Sequence, residues 1–265
     1  MPRTITQTPL FIILLGTVIF AMTPFSKSHA DAPDTQKTVV VSIAAPGWPP
    51  YAILDGQKDS ENRGIMLDVM HAVLERLGYG LKLESHPAKR VMMLLEDGEI
   101  DATLKAKEWV TDPDHFLWSN AILHSEDVLV SRIKSYTELE TLIKHKGARV
   151  AGKLGFSYPS LQEAIEQKKI RWYTATTTEN LLQMLRHGHV DAIVTNKLVV
   201  RWAVESSDEA QSTSFYYSPT PIATTPYRFA FARKEAMYPF VKLFNEELER
   251  LRKEGVIANI ISKYQ

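Results

Sequence analysis

Residues 94–105 read LLEDGEIDATLK and residues 184–196 read MLRHGHVDAIVTN, so one pattern, Leu-x-x-Gly-x-(Ile/Val)-Asp-Ala, is written twice in this chain. In each copy a short apolar helix end meets a glycine able to take the left-handed conformation that stops a helix. An apolar run suited to a buried strand follows. The first copy holds Leu94, Leu95, Gly98, Ile100, Asp101 and Ala102; the second holds Met184, Leu185, Gly188, Val190, Asp191 and Ala192. The repetition predicts two similar αβ units.

Working outward from the first copy, TVVVSIAA at 38–45 is a β-branched run that reads as a buried strand, and PGWPPYAI at 46–53 as a stiff, proline-rich loop at its end. Met66, Val69, Met70, Val73, Leu74 and Leu77 keep one helical face apolar until Gly78, and GLKLES supplies the next strand. Pro87 suits the first turn of a helix carrying Val91, Leu94 and Leu95, which feeds the strand IDATL. Around the second copy the order repeats. A strand from His124 to Arg132 and a helical TELETLIKHKG lead to the strand ARVAGKLG, the helix YPSLQEAIEQKK, the strand IRWYTA, the helix ENLLQMLRHG and the strand VDAIVTN. SPTPIATTP reads as turns before the strand YRFAFAR and a long helix from about Tyr238 to Lys253. The alternation gives an α/β fold with parallel sheets flanked by helices, and open α/β sheets bind ligands at their strand ends.

The first thirty residues read as a cleavable signal peptide: Arg3, an apolar run from Leu10 to Met22, and the small residues Ser28 and Ala30 before a cut ahead of Asp31. That run is shorter than the roughly 18–20 apolar residues a membrane-spanning helix needs. The 265 residues include no cysteine, so the leader cannot carry a lipid and the exported chain folds without disulfides, which fits the periplasm. Removing Arg3 and Lys27 from 31 basic residues leaves 29 against 31 acidic ones, a balance that argues against nucleic acid as a partner. His187 and His189 around Gly188 are an incomplete ligand set, and no metal or cofactor is expected.

Taken in order, WPPY, RGIMLDVMHAVLERLG, LLEDGEIDA, GKLGFS, LRHGHVDAIVTN, RFAFARKEA and LERLRKEGVIANIISKY resemble the type 3 extracellular solute-binding proteins. The resemblance covers nearly all of residues 38 to 265. It implies a type II periplasmic binding protein fold, two αβ lobes joined by a two-strand hinge. Lobe 1 would comprise residues 38–123 plus 228–265 and lobe 2 residues 127–225, after a polar leader at 31–37. The crossovers would lie near 122–126 and 225–227. It further implies a monomer that captures a small polar metabolite, amino acid-like or an organic anion, by hinge closure. The ligand would pass to an ABC transporter permease or to a membrane sensor. A cyclohexadienyl dehydratase-like enzyme on the same fold is the alternative.

Amino-acid-binding members use an arginine after the strand corresponding to IDATL and an acid after the one corresponding to VDAIVT. Here those regions read KAKEWVTDPDHF and VTNK, with Asn196 in place of the acid. The candidate ligand-binding residues are therefore Trp48 and Tyr51 in the proline-rich loop, Arg90 in HPAKR, Lys105 and Glu108 after IDATL, Lys153, Phe156 and Ser157 in GKLGFS, and Asn196. Trp48 offers a face for packing on a ligand or a plug for the core, and Tyr51 reads mainly as structural. Arg90 suits a carboxylate or phosphate. Glu108 would receive an ammonium group, neutralise the lysines, or serve as the acid of a dehydratase. GKLGFS places backbone N–H groups ahead of a helix. Asn196 either binds ligand or caps the following helix. Arg90, Lys105 and Lys153 together make an anionic ligand the expectation.

Overall fold

The computed structural model describes residues 37–54, 62–207 and 214–265; the leader and its cleavage site lie outside the described residues. Residues 36–265 form one unit. The first αβ unit contains β1 (Thr38–Ala44), the short hairpin β2 (Gly47–Trp48) and β3 (Ala52–Ile53), α1 (Ile65–Leu77), β4 (Gly80–His86), α2 (Ala88–Glu96) and β5 (Ala102–Lys105). Two 3₁₀ turns and β6 (Phe116–Trp118) lead to β7 (Leu123–Ser131) and α3 (Leu139–Lys144). The second unit holds β8 (Ala148–Lys153), α4 (Pro159–Glu166), β9 (Ile170–Ala175), α5 (Thr178–Arg186), β10 (Ala192–Asn196) and α6 (Lys197–Glu205). After β11 (Tyr216–Tyr217), the chain closes with β12 (Ala223–Ala232), α7 (Met237–Lys253) and α8 (Val256–Ser262).

The strands form one long sheet in the order β4-β1-β5-β12-β7-β10-β8-β9, with β6 on β12 and β11 on β7. Each unit contributes a parallel block whose first strand lies in the middle, β4-β1-β5 in one and β9-β8-β10 in the other. β12 and β7 join the blocks by antiparallel pairing. Arg228–Phe231 of β12 pairs with β5, while Ala223–Tyr227 pairs with Leu123–Asp127 of β7. The duplication read in the sequence is thus realised as two blocks of the same strand order.

The repeated phrase has a physical cause. Gly98 and Gly188 take positive φ (72° and 69°) and donate back to Leu95 O and Leu185 O, closing α2 and α5. Three residues on, the two aspartates do the same work. The Asp101 carboxylate accepts from Val40 N of β1 at 2.8 Å, and the Asp191 carboxylate accepts from Arg149 N of β8 at 2.7 Å. Their own N–H groups donate to Val40 O and Arg149 O, so each aspartate pairs with both backbone groups of the central strand where it enters the block. A cation completes each pair: Lys234 at 2.6 Å from Asp101, Arg149 at 2.7 Å from Asp191. A backbone N–H bonded to a carboxylate stabilises by roughly 1.5–3 kcal/mol, more than an amide partner would.

Separate apolar cores form on the two blocks. Val39, Val41, Met66, Met70, Val73, Phe229, Phe231, Phe240 and Phe244 pack around the first. Leu129, Val150, Leu161, Ile170 and Val194 fill one side of the second, and Val130, Ala151, Leu181, Leu185 and Ile193 the other. Val199 of α6 packs with the first core, although its helix belongs to the second block.

The structure differs from the sequence reading in three places, the first being the proline-rich stretch 46–53, which folds as the short β2–β3 hairpin. β12 begins at Ala223, inside the stretch read as turns, because extended backbone there completes the pairing with β7; even Pro226 sits in register, opposite His124. The helix expected across TELETLIKHKG shrinks to six residues after a 3₁₀ turn at Lys134–Thr137. Among the described residues no helix is long and apolar enough to cross a membrane.

Candidate functional site

A narrow, partly enclosed recess with a cavity volume of about 20 Å³ lies where the two blocks meet. The first block supplies Trp48, Trp109 and Tyr227; the second supplies Asp127, Lys153, Phe156, Tyr158, Thr178, Thr195, Asn196 and Val199. Asp127 and Tyr227 come from the middle of the crossing strands β7 and β12, and the rest from the ends of β2, β8 and β10, the turns after β5 and β8, and the first turns of α5 and α6.

An aromatic wall bounds one side. Trp48 leaves the β2–β3 hairpin, where the Ala45–Pro46 and Pro49–Pro50 bonds are cis. Its ring lies 5.3 Å from Tyr51, 5.2 Å from Tyr227 and 6.0 Å from Trp109. Trp109 stands edge-on to Tyr227 at 5.3 Å and meets Phe156 at 6.3 Å, a contact between the blocks. Tyr51 is fully buried behind this wall, with its ring 4.9 Å from that of Tyr227.

Tyr51 also anchors the floor. Its hydroxyl donates to Asn196 Oδ1 at 3.0 Å, Val199 N donates to the same oxygen at 3.0 Å, and Asn196 Nδ2 donates to Ser125 Oγ at 2.5 Å. The Asn196 oxygen is therefore saturated as the N-cap of α6, and three segments are tied together through one amide. Burial pushes the Tyr51 and Tyr227 hydroxyls well above the usual phenol value, so both stay neutral donors. Burial raises that of Tyr158 to about 12.

Two charged groups line the recess without an ion-pair partner among the described residues. Asp127 lies on β7 directly opposite Asn196 of β10, and among the described residues no side chain or backbone N–H donates to its carboxylate. Burial raises its pKa from 3.8 to about 6. Lys153 ends β8, with its ammonium 5.1 Å from the centre of the Phe156 ring. Asp127 and Lys153 form no salt bridge with each other.

Of the nine candidates read from the sequence, the structure brings Trp48, Lys153, Phe156 and Asn196 to the recess. Trp48 combines both roles offered for it, since it is half-buried against Tyr51 and lines the cavity. Tyr51 lies behind the wall as a structural residue. Arg90 and Ser157 are exposed and line nothing in the recess. Lys105 is half-buried opposite Arg228 in the β5–β12 ladder, where burial lowers its pKa, and it does not line the recess. Glu108 does not neutralise the lysines: its carboxylate receives Arg228 at 3.0 and 3.2 Å on the exposed side of that ladder. The basic trio behind the expected anionic ligand is thus not assembled, because only Lys153 of the three reaches the recess and a carboxylate faces the same space.

Sequence reasoning missed Trp109, Asp127 and Tyr227. Trp109 was hidden by the missing arginine sought in KAKEWV. Asp127 sits inside a strand, and its signal was a carboxylate directly before the apolar run VLV. Only the strand pairing shows that it faces Asn196.

No family model matches the chain. A probable amino-acid-binding protein of Bacillus subtilis, YxeM, is 26% identical over 256 residues, which cover 96% of this chain and 93% of that protein. Among solved structures, the probable amino-acid ABC transporter extracellular-binding protein ytmK of Bacillus subtilis superposes with a TM-score of 0.72 at 15% identity, covering 86% of this chain and 97% of its own. The ancestral amino-acid-binding protein AncCDT-1, described as a precursor of cyclohexadienyl dehydratase, gives 0.63 at 18% identity over 86% and 94%. The resemblance read from the sequence is borne out: the chain has the two-lobed α/β fold of these binding proteins and is similar over nearly its whole length to a protein named for amino-acid binding.

Proposed function

We propose that this chain is an exported solute-binding protein that holds a small amino-acid-like solute in the recess between its two blocks and delivers it to a membrane transporter. One observation carries the reading: the recess is built jointly by residues of both blocks, with an aromatic wall from one and an unpaired carboxylate and ammonium from the other. A site divided in this way couples occupancy to the relative position of the blocks, and the β7–β12 crossing near 122–126 and 225–227 is the segment about which they would turn. The amino-acid-binding relative supports the ligand class, and the transporter-associated neighbour supports the partner.

The reading is binding rather than catalysis. Glu108, the acid that a dehydratase-like reaction would have used, is committed to Arg228 outside the recess. The test is thermal unfolding of the purified protein with each of the twenty common L-amino acids and with a set of small organic anions. A ligand at about 100 times its dissociation constant adds roughly 2.7 kcal/mol, enough to raise the midpoint by several degrees. Stabilisation by one or a few amino acids is expected; stabilisation by none of them, or by anions alone, would overturn the ligand class.

A further inference from the structure

We infer that Asp127 and Lys153 read the two charges of the solute, Asp127 receiving its ammonium group beside the aromatic wall and Lys153 its carboxylate. The inference rests on the proposed binding role and goes beyond it by naming the residues that set polarity.

A carboxylate and an ammonium brought from water into a half-buried site cost free energy unless each finds an opposite charge. In most folded proteins such groups pair with each other, as Asp191 does with Arg149 and Asp101 with Lys234 in this one. Asp127 and Lys153 line one recess yet form no salt bridge with each other, and neither has an ionic partner among the described residues. A zwitterion placed between them gives each the charge it lacks, whereas a simple anion would face Asp127 and a simple cation would face Lys153.

The surroundings sort the two ends. Indole and phenol faces attract cations, and Trp48, Trp109 and Tyr227 stand on the first-block side of the recess. Lys153 and Thr178 both come from the second block, and Thr178 lies in the first turn of α5, whose N–H groups carry partial positive charge and favour an anion. Asn196 cannot serve the ammonium, because its oxygen already accepts from Tyr51 and Val199. The carboxylate that this position lacks is supplied from the neighbouring strand at the same register, since Asp127 is the residue opposite Asn196.

The experiment is calorimetric titration of the wild type, Asp127→Asn and Lys153→Gln with the L-amino acid that most stabilises the wild type. The same three proteins are titrated with its decarboxylated amine and its deaminated acid. Both substitutions are expected to weaken the amino acid by tenfold or more while the proteins still unfold cooperatively. The amine is expected to lose affinity in Asp127→Asn and not in Lys153→Gln, and the acid to show the reverse. Affinity for the amino acid within twofold of wild type in either variant, or equal losses for the amine and the acid in both, would overturn the assignment while leaving the binding role in place. Failure of every amino acid to bind the wild type would overturn the proposed ligand class and the assignment with it.

Discussion

Replacing Asp127 by asparagine is expected to stabilise the ligand-free protein at neutral pH and to leave it unchanged in acid. The folded carboxyl titrates at about 6 and the unfolded one near 3.8, because burial disfavours the charge. Between those values the folded state holds a proton that the unfolded state has released, so the contribution of Asp127 to wild-type stability falls as pH rises from about 4 to about 6 and is level above. The full difference corresponds to roughly 3 kcal/mol at 1.36 kcal/mol per pH unit; about 2 kcal/mol is the working figure, since Asp127 keeps some contact with water. The other ionisable groups at the recess, Lys153, Tyr158 and Tyr227, are unchanged by the substitution and largely cancel between the two proteins. The assay is thermal or urea unfolding of wild type and Asp127→Asn at pH 4 and pH 7.5. The expected result is coincident curves at pH 4 and a gain of roughly 4–8 °C for the variant at pH 7.5. A variant equally displaced at both pH values, or destabilised at pH 7.5, would refute the claim that Asp127 is a buried carboxylate without a partner.

Three further substitutions probe the frame around the recess. Asp191→Ala removes the acceptor of Arg149 N and the partner of the Arg149 guanidinium, and should cost about 2 kcal/mol by urea unfolding at pH 7. Burial pushes the Asp191 carboxyl up, but the Arg149 hydrogen bonds outweigh it and hold the group below its ordinary value. The wild-type advantage is therefore present above pH 4 and lost as pH falls through the folded value. Tyr51→Phe removes one of the two donors to the Asn196 oxygen and should cost about 1 kcal/mol, visible as a lower melting temperature at an unchanged circular dichroism spectrum. Gly152→Ala sets a Cβ 2.5 Å from the Trp172 ring and 2.6 Å from that of Tyr158, which bounds the recess. Overpacking there should cost roughly 1–3 kcal/mol and weaken solute binding, measured by unfolding and by titration.

Legibility in the sequence follows from how local each signal is. The two phrases around Gly98 and Gly188 stand at helix ends whose geometry depends on a few adjacent residues, so the αβ units and their order could be read directly. What Asp101 and Asp191 do could not, because their partners on β1 and β8 lie 61 and 42 residues away. The site was legible where a side chain projects from a loop at a strand's end, as with Trp48, Lys153 and Phe156. It was illegible where pairing decides, as with Asp127, whose place opposite Asn196 depends on an antiparallel register, and Tyr227, whose pairing with Leu123 of β7 sets it beside the recess. Arg90 and Lys105 show the converse: charge alone offered them as ligands, and exposure or position in the β5–β12 ladder removes them from the recess.

The most direct test of the account is a crystal structure of the protein with the amino acid that stabilises it most. The account predicts density for that solute between the Trp48–Trp109–Tyr227 wall and the second block, with its ammonium within hydrogen-bond reach of Asp127 and its carboxylate toward Lys153. Density for the solute elsewhere on the chain, with the recess filled only by water, would contradict it.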